Sequence, residues 1–330
     1  MVICLVIQQK IKMKQVIFKE TGLPESVLIL EEVDIPVPRA HETLVRVTAR
    51  NINPSDIMFI QGRYGITPKL PSSAGFEAAG EVEKSEQYPK GTRVIFTAIG
   101  TWKEYVCVPT AQLIPTPAGM PDEVACQAFV NPVTAYGMLE TSGLQKDQWL
   151  LITAGASAWG KLVIQMAKMR GINVICTVRR TDQKQALLDL GASIVVDVQT
   201  ENLGKIVRAA VESGVDAIFD AVGGEQGAKA LACLKIGGRM LVFGLLSLEP
   251  IPLNSGLLIF KNLTVEGWWL TSWWENLGQE GIKKALKEVF TYLMTQEVHV
   301  DVQEKFGLSE FKEAVIAYQK EGRTGKILIC

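Results

Sequence analysis

Residues 150–168 read LLITAGASAWGKLVIQMAK. An apolar run ends at Thr153, a short turn carries Gly155 and Gly160, and the apolar residues beyond it recur at helical spacing. Strand, glycine turn and helix in that order form a recognisable unit. Glycines there let the backbone approach a pyrophosphate closely, and the phosphates then sit on the N–H groups of the helix N-terminus. The stretch predicts a dinucleotide site at Gly155, Ala156, Ser157, Ala158 and Gly160. An ordinary glycine-bearing turn is the bland alternative, and the strand order around it argues against that. Ala158 stands where a middle glycine is common, and its methyl is expected to shift the phosphate slightly.

Strands and helices alternate downstream of this unit. NVICTV (173–178) precedes QKQALLDLGA, SIVVDV precedes LGKIVRAAVESG, and AIFDAV (217–222) precedes EQGAKALACLKIGG. RMLVFG (239–244) follows, and LTVEGWW (263–269) is the expected sixth strand. Such βαβ alternation predicts a parallel, doubly wound Rossmann-type sheet. Upstream, DEVACQAFVNPVTAYGMLETSG (122–143) is apolar at helical spacing and closes on Gly143, a C-cap signal. Before that, QVIFKE, VLILEEVDI, TLVRVTARNI, AAGEVEKS, TRVIFTA and EYVCVP predict an antiparallel, barrel-like β domain.

Bulk properties narrow the function. The 330 residues include 34 basic and 35 acidic side chains, a formal net charge of −1, so there is no basic footprint for nucleic acid. No apolar run reaches the roughly 20 residues of a membrane helix. Met1–Ile7 is apolar but lacks a basic flank and a cleavage site, so it is a poor signal peptide. Residues 1–12 read as a start-site extension before Met13 or as an added edge strand. Six scattered cysteines suggest reduced thiols and a cytoplasmic protein. Two histidines, His41 and His299, leave little material for a metal site or a histidine-based triad.

The end of the second strand decides the cofactor. A carboxylate there would bind the ribose 2′-OH of NAD, but CTV runs into Arg179 and Arg180. Guanidinium groups match phosphate oxygens, so NADPH is expected. Two merely solvated arginines are the competing reading.

The order of parts, with FDAVGG, GGRMLVFG and the closing GRTGKILI, resembles the medium-chain dehydrogenase/reductase superfamily from Met13 to the end. The resemblance implies a Rossmann domain inserted into a discontinuous, β-rich GroES-like catalytic domain. The expected boundaries are 1–127 and 266–330 for the catalytic domain and 128–265 for the nucleotide domain. The family's zinc-dependent members carry a Cys where this chain has Asn53 and a His where it has Phe76, before Glu77. They also carry a four-cysteine lobe that is absent here. Phenylalanine cannot ligate, so zinc catalysis is excluded on donor chemistry.

What remains is similar to the zinc-independent branch of 2-enoyl thioester reductases and NADPH:quinone oxidoreductases. Asn53-Pro54-Ser55-Asp56, IMFIQGRYG, NPVTAY and GWWLTSWW lean toward the enoyl reductases. By that resemblance Tyr64 is the catalytic donor and Trp269 lines the substrate site. Asn53 and Thr134 orient the nicotinamide, and backbone N–H groups at Phe243 and Gly244 bind its amide. Arg63 and Lys69, in the loop with Tyr64, would meet the phosphates of a CoA substrate. Each has a plainer reading: a packed loop tyrosine, a tryptophan-rich interface, helix caps, solvated charges. The expected function is hydride transfer from NADPH to an activated C=C of a small-molecule substrate, most specifically a 2-enoyl thioester. A quinone oxidoreductase is the alternative, and a non-catalytic NADPH-binding protein the minority one. A homodimer is expected, with GLLIFKNLTVEGWW (256–269) as the candidate interface.

Overall fold

The structure, a computed structural model, describes residues 11–330; residues 1–10, with Cys4 and most of the expected added edge strand, lie outside the described residues. The chain divides into two compact units, one running up to Phe129 and resuming at Asp301–Cys330, the other Val130–Val300.

The second unit is built on six parallel strands. In chain order they are Trp149–Ile152, Asn173–Val178, Ile194–Asp197, Val215–Asp220, Leu234–Val242 and Thr264–Gly267. Their spatial order is 3-2-1-4-5-6, the Rossmann arrangement. The inner strands are near-continuous apolar runs because helices cover both faces. Leu151, Ile175, Val196, Ile218 and Met240 are completely buried in one cluster, each contributing about 1.5–3 kcal/mol of transfer free energy.

The first unit is β-rich. A seven-stranded sheet runs Val302–Phe306, Lys326–Ile329, Glu42–Asn51, Glu77–Lys84, Arg93–Thr97 and Ile114–Pro115, with Tyr105–Pro109 also paired to Glu42–Asn51. All its pairings are antiparallel except the one between its first two strands. Lys12–Phe18 pairs with Leu28–Asp34 and with Ser72–Ser73 in a smaller sheet.

Two expectations need correction. The stretch 122–143 is not one helix but two, Asp122–Ala125 and Val130–Ser142. Side chains intercept the backbone between them: Asn51 Nδ2 donates to the Cys126 carbonyl at 2.7 Å, and the Phe129 N–H donates to Glu77 Oε1 at 2.9 Å. The return of the chain to the β-rich unit comes at Asp301, not near 265. The reason is that Leu270–Asn276 and Gly278–Met294 are helices that stay with the nucleotide unit. Trp268 Nε1 donates to Thr141 Oγ1 at 3.0 Å, and the Trp268 and Trp273 rings lie against Gly137, where a Cβ would come within 2.9 Å.

Among the described residues no helix is long and apolar enough to cross a membrane. Cys107, Cys126, Cys176, Cys233 and Cys330 are free thiols.

Candidate active site

The glycine turn is held by its neighbours on every side. Gly155 donates its N–H to the Thr177 carbonyl at 2.8 Å, and a Cβ on it would lie 2.6 Å from Cys176 Cβ. Only glycine lets this turn close onto the second strand. Gly160 lies in the first turn of helix Ala158–Met169, and its missing Cβ leaves room for the carbonyls of Ala154 and Gly155. Ser157 is the N-cap, its Oγ accepting from the Gly160 N–H at 3.0 Å, a bond typically worth about 1 kcal/mol. The Ser157 N–H goes to the Ala154 carbonyl. Between 155 and 160 that leaves the amides of Ala156, Ala158 and Trp159 without a partner from the chain among the described residues. They are three N–H groups at a helix N-terminus, which is the chemistry a pyrophosphate needs. Ala158 opens the helix at that position.

Past the second strand, Arg179 and Arg180 are both exposed. Arg180 grips Asp182 with its Nη2 and with its Nε at 3.0 Å, and that bond holds the Asp182 carboxyl below the usual carboxylate range. A bound 2′-phosphate would have to share Arg180 with this carboxylate.

The ends of the fourth and fifth strands are strapped together. The Phe243 and Gly244 N–H groups, expected to bind the nicotinamide amide, both donate to the Asp220 carbonyl, at 3.0 and 3.4 Å. Leu246 N–H goes to the Ala221 carbonyl and Ser247 N–H to that of Val222. In the run 243–247, Leu245 alone keeps an unengaged amide among the described residues. The amides of Phe243 and Gly244 are thus engaged by the end of the neighbouring strand.

Thr134 is buried on helix Val130–Ser142. Trp269 is the N-cap of helix Leu270–Asn276 and 43% exposed, whereas Trp268 and Trp273 are ring partners at 5.8 Å packed on Gly137. Two of the four clustered tryptophans are therefore packing residues, Trp274 is half-buried and Trp269 is exposed.

In the β-rich unit, Tyr64 sits in the loop after helix Pro54–Ile60. Its ring packs 5.3 Å from that of Phe76, which in turn meets Phe59 edge-on at 5.1 Å. The phenylalanine at the family's metal-ligand position thus serves as the platform for the tyrosine. Arg63 and Lys69 are exposed in the same loop.

Asn53 is 1% exposed. It caps helix Pro54–Ile60, its N–H donates to Asp56 Oδ2 at 2.7 Å, its Nδ2 donates to Glu77 Oε2 at 3.3 Å, and its Oδ1 accepts from Lys326 Nζ. Lys326 Nζ also reaches the Ile52 carbonyl. Burial pushes the Asp56 carboxyl up to about 7, against the Asn53 N–H bond and the Lys326 charge, and the Lys326 ammonium down to about 8, against the charges of Glu77 and Asp56. The side chain of Asn53 thus belongs to a buried network with Glu77 and Lys326. Among the described residues no group of three or more His, Cys, Asp or Glu is placed to hold a metal ion.

Neither Lys326 nor Asp220 is among the site residues expected from the sequence. Lys326 opens the buried strand KILI, and a lysine at the head of such a run was its only signal. Asp220 ends an apolar strand, where an acid reads as a turn residue, yet it is 0% exposed.

Comparison with known proteins adds the family. Residues 39–118 match the alcohol dehydrogenase GroES-like domain, and residues 158–290 match the zinc-binding dehydrogenase family. The mitochondrial enoyl-acyl-carrier-protein reductase of Arabidopsis thaliana is 30% identical over 328 residues, covering 95% of this chain and 86% of the relative. A putative NADPH:quinone reductase from Bacillus thuringiensis superposes with a TM-score of 0.91 at 29% identity, covering 97% of this chain and 99% of its own. The Escherichia coli quinone oxidoreductase, solved with NADPH, gives 0.88 at 27% identity, covering 96% and 99%.

Proposed function

The chain belongs to the medium-chain dehydrogenase/reductase superfamily, and from that premise we propose that this NADPH-dependent oxidoreductase reduces the activated C=C of a 2-enoyl thioester. Bound NADPH would supply the hydride that goes to Cβ of the substrate. The protein must then hold the cofactor, stabilise the developing enolate oxygen and see a proton delivered to Cα.

The first task falls to the amides of Ala156, Ala158 and Trp159 for the pyrophosphate, with Arg179 and Arg180 for the 2′-phosphate. Gly155, Gly160 and the Ser157 cap keep that turn in shape. Thr134, Trp269 and the 243–245 segment are assigned to the nicotinamide and substrate end. Asn53 is assigned, with Thr134, to orienting the nicotinamide, its amide held by Glu77 and Lys326.

The observation that carries the reading is Tyr64 seated on Phe76. A phenol, protonated at neutral pH at an ordinary pKa of about 10, is a competent donor to a thioester oxygen. The test is Tyr64→Phe. Its kcat with an enoyl thioester is expected to fall by about 100-fold or more while the Kd for NADPH stays put. An unaltered kcat removes Tyr64 from the chemistry. An NADPH Kd no tighter than that for NADH removes the arginines from the cofactor site.

Quinone reduction is the second reading, favoured by the names of the two structural relatives. It makes little demand on a protein acid, because solvent can protonate the product.

The protein is further proposed to form a homodimer. Ile259 and Phe260 on helix Ser255–Lys261 are 70% and 83% exposed, and Thr264–Gly267 is an edge strand of the six-stranded sheet. Apolar surface beside an open strand edge favours a second copy of the chain.

A further inference from the structure

Asp220 ends an apolar strand, and its side chain is fully buried. Its Oδ1 accepts from Thr153 Oγ1 at 2.7 Å and from the Val222 N–H at 3.2 Å; its Oδ2 accepts from the Gly223 N–H at 2.9 Å. Thr153, itself 1% exposed, closes a ring by accepting from the Ala221 N–H at 2.9 Å. One side chain and its partner therefore fix the course of residues 221–223 from the end of the first strand.

Those residues in turn fix the next loop. The carbonyls of Asp220, Ala221 and Val222 hold the amides of Phe243, Gly244, Leu246 and Ser247, and Ser247 Oγ donates a further bond to Val222 at 2.7 Å. Gly244 fits only because it lacks a Cβ, which would lie 2.6 Å from the Ala221 carbonyl oxygen. The carboxylate thus organises the carboxyl ends of the first, fourth and fifth strands together. In an open α/β sheet that edge is where ligands bind.

From this we infer that Asp220, with Thr153, is a positioning residue for the nicotinamide half of the bound cofactor. It shapes the loops 221–223 and 243–247 and so presents the Leu245 N–H. The adenosine half is served by other residues, on the glycine turn and at Arg179 and Arg180. The inference rests on the NADPH reading above.

The substitution Asp220→Asn keeps the shape and removes an acceptor. Whichever way the amide is turned, its NH2 faces at least one N–H donor: that of Gly223 in one orientation, that of Val222 in the other. The loops must then shift.

The experiment measures Kd for two ligands by fluorescence titration: NADPH, and adenosine 2′,5′-bisphosphate, which has the 2′-phosphate but no nicotinamide. In Asp220→Asn the Kd for NADPH is expected to rise about 10- to 100-fold, with that for the bisphosphate within about twofold of wild type. Thr153→Val, which loses the hydroxyl but keeps the volume, should show the same split at about 3- to 10-fold, and Thr153→Ser should restore wild-type binding. Thr153→Val carries the test if Asp220→Asn does not fold. Equal weakening of both ligands means a merely structural role and overturns the inference, as does unchanged NADPH affinity in either variant. Failure of the wild type to bind NADPH overturns the cofactor reading, and this inference with it.

Discussion

Replacing Gly160 with alanine puts a methyl group where the structure has backbone. A Cβ built there lies 2.6 Å from the Gly155 carbonyl oxygen, 2.8 Å from that of Ala154 and 2.9 Å from the Gly155 carbonyl carbon. Unstrained contacts of carbon begin at about 3.5 Å, so the turn must retreat by about 0.9 Å. None of these atoms is the loose end of a side chain. Overpacking of this kind costs about 1–3 kcal/mol, offset by the roughly 1 kcal/mol that alanine gains over glycine inside a helix. The net loss of stability is about 0–2 kcal/mol.

The effect on binding is larger, because the turn carries the phosphate-binding amides with it. Losing one hydrogen bond to a charged group is worth about 1.5–3 kcal/mol, which raises the Kd for NADPH about 10- to 150-fold. Gly204→Ala is the control, in helix Leu203–Ala210. Its Cβ meets nothing closer than Arg208 Nη1 at 3.5 Å, so the same change there is expected to stabilise by up to about 1 kcal/mol and leave binding alone. Thermal unfolding and NADPH titration of both variants read the two effects. Wild-type NADPH affinity in Gly160→Ala refutes the argument, and so does an equal gain in stability from both substitutions.

Two further outcomes are expected. Burial pushes the Asp56 carboxyl up to about 7 in the folded protein, against about 3.9 for an unfolded aspartate. Between those values the folded state binds more protons, so its contribution makes stability fall as pH rises through that window. Urea unfolding of Asp56→Asn against wild type should show the slope reduced in the variant; an unchanged slope contradicts the assignment. Light scattering should return twice the mass of the chain, and Phe260→Asp should shift it to the monomer. A wild-type monomer refutes the proposed dimer.

The fold was legible because its deciding signals are local. Gly155 and Gly160 between an apolar run and a helix, followed by regular βαβ alternation, specify a Rossmann sheet without any long-range information. The position of Arg179 and Arg180 follows from the strand end for the same reason. What could not be read depends on contacts distant in sequence. The break at 126–129 is made by Asn51 and Glu77, and the return at Asp301 is set by Trp268 and Trp273 packing on Gly137. The commitment of Asn53 to Lys326 spans 273 positions. The acceptor of the Phe243 and Gly244 amides, the Asp220 carbonyl, is likewise on a neighbouring strand and distant in sequence.

Thioester turnover against quinone turnover, in wild type and Tyr64→Phe, tests the central claim most directly. Purified protein would be given NADPH with a short trans-2-enoyl-CoA in one cuvette and a para-quinone in another, and NADPH oxidation followed by absorbance. Faster turnover of the thioester, lost in the variant with NADPH binding intact, is the predicted result. Turnover of the quinone alone, indifferent to the substitution, would contradict the account and leave Tyr64 as a packing residue on Phe76.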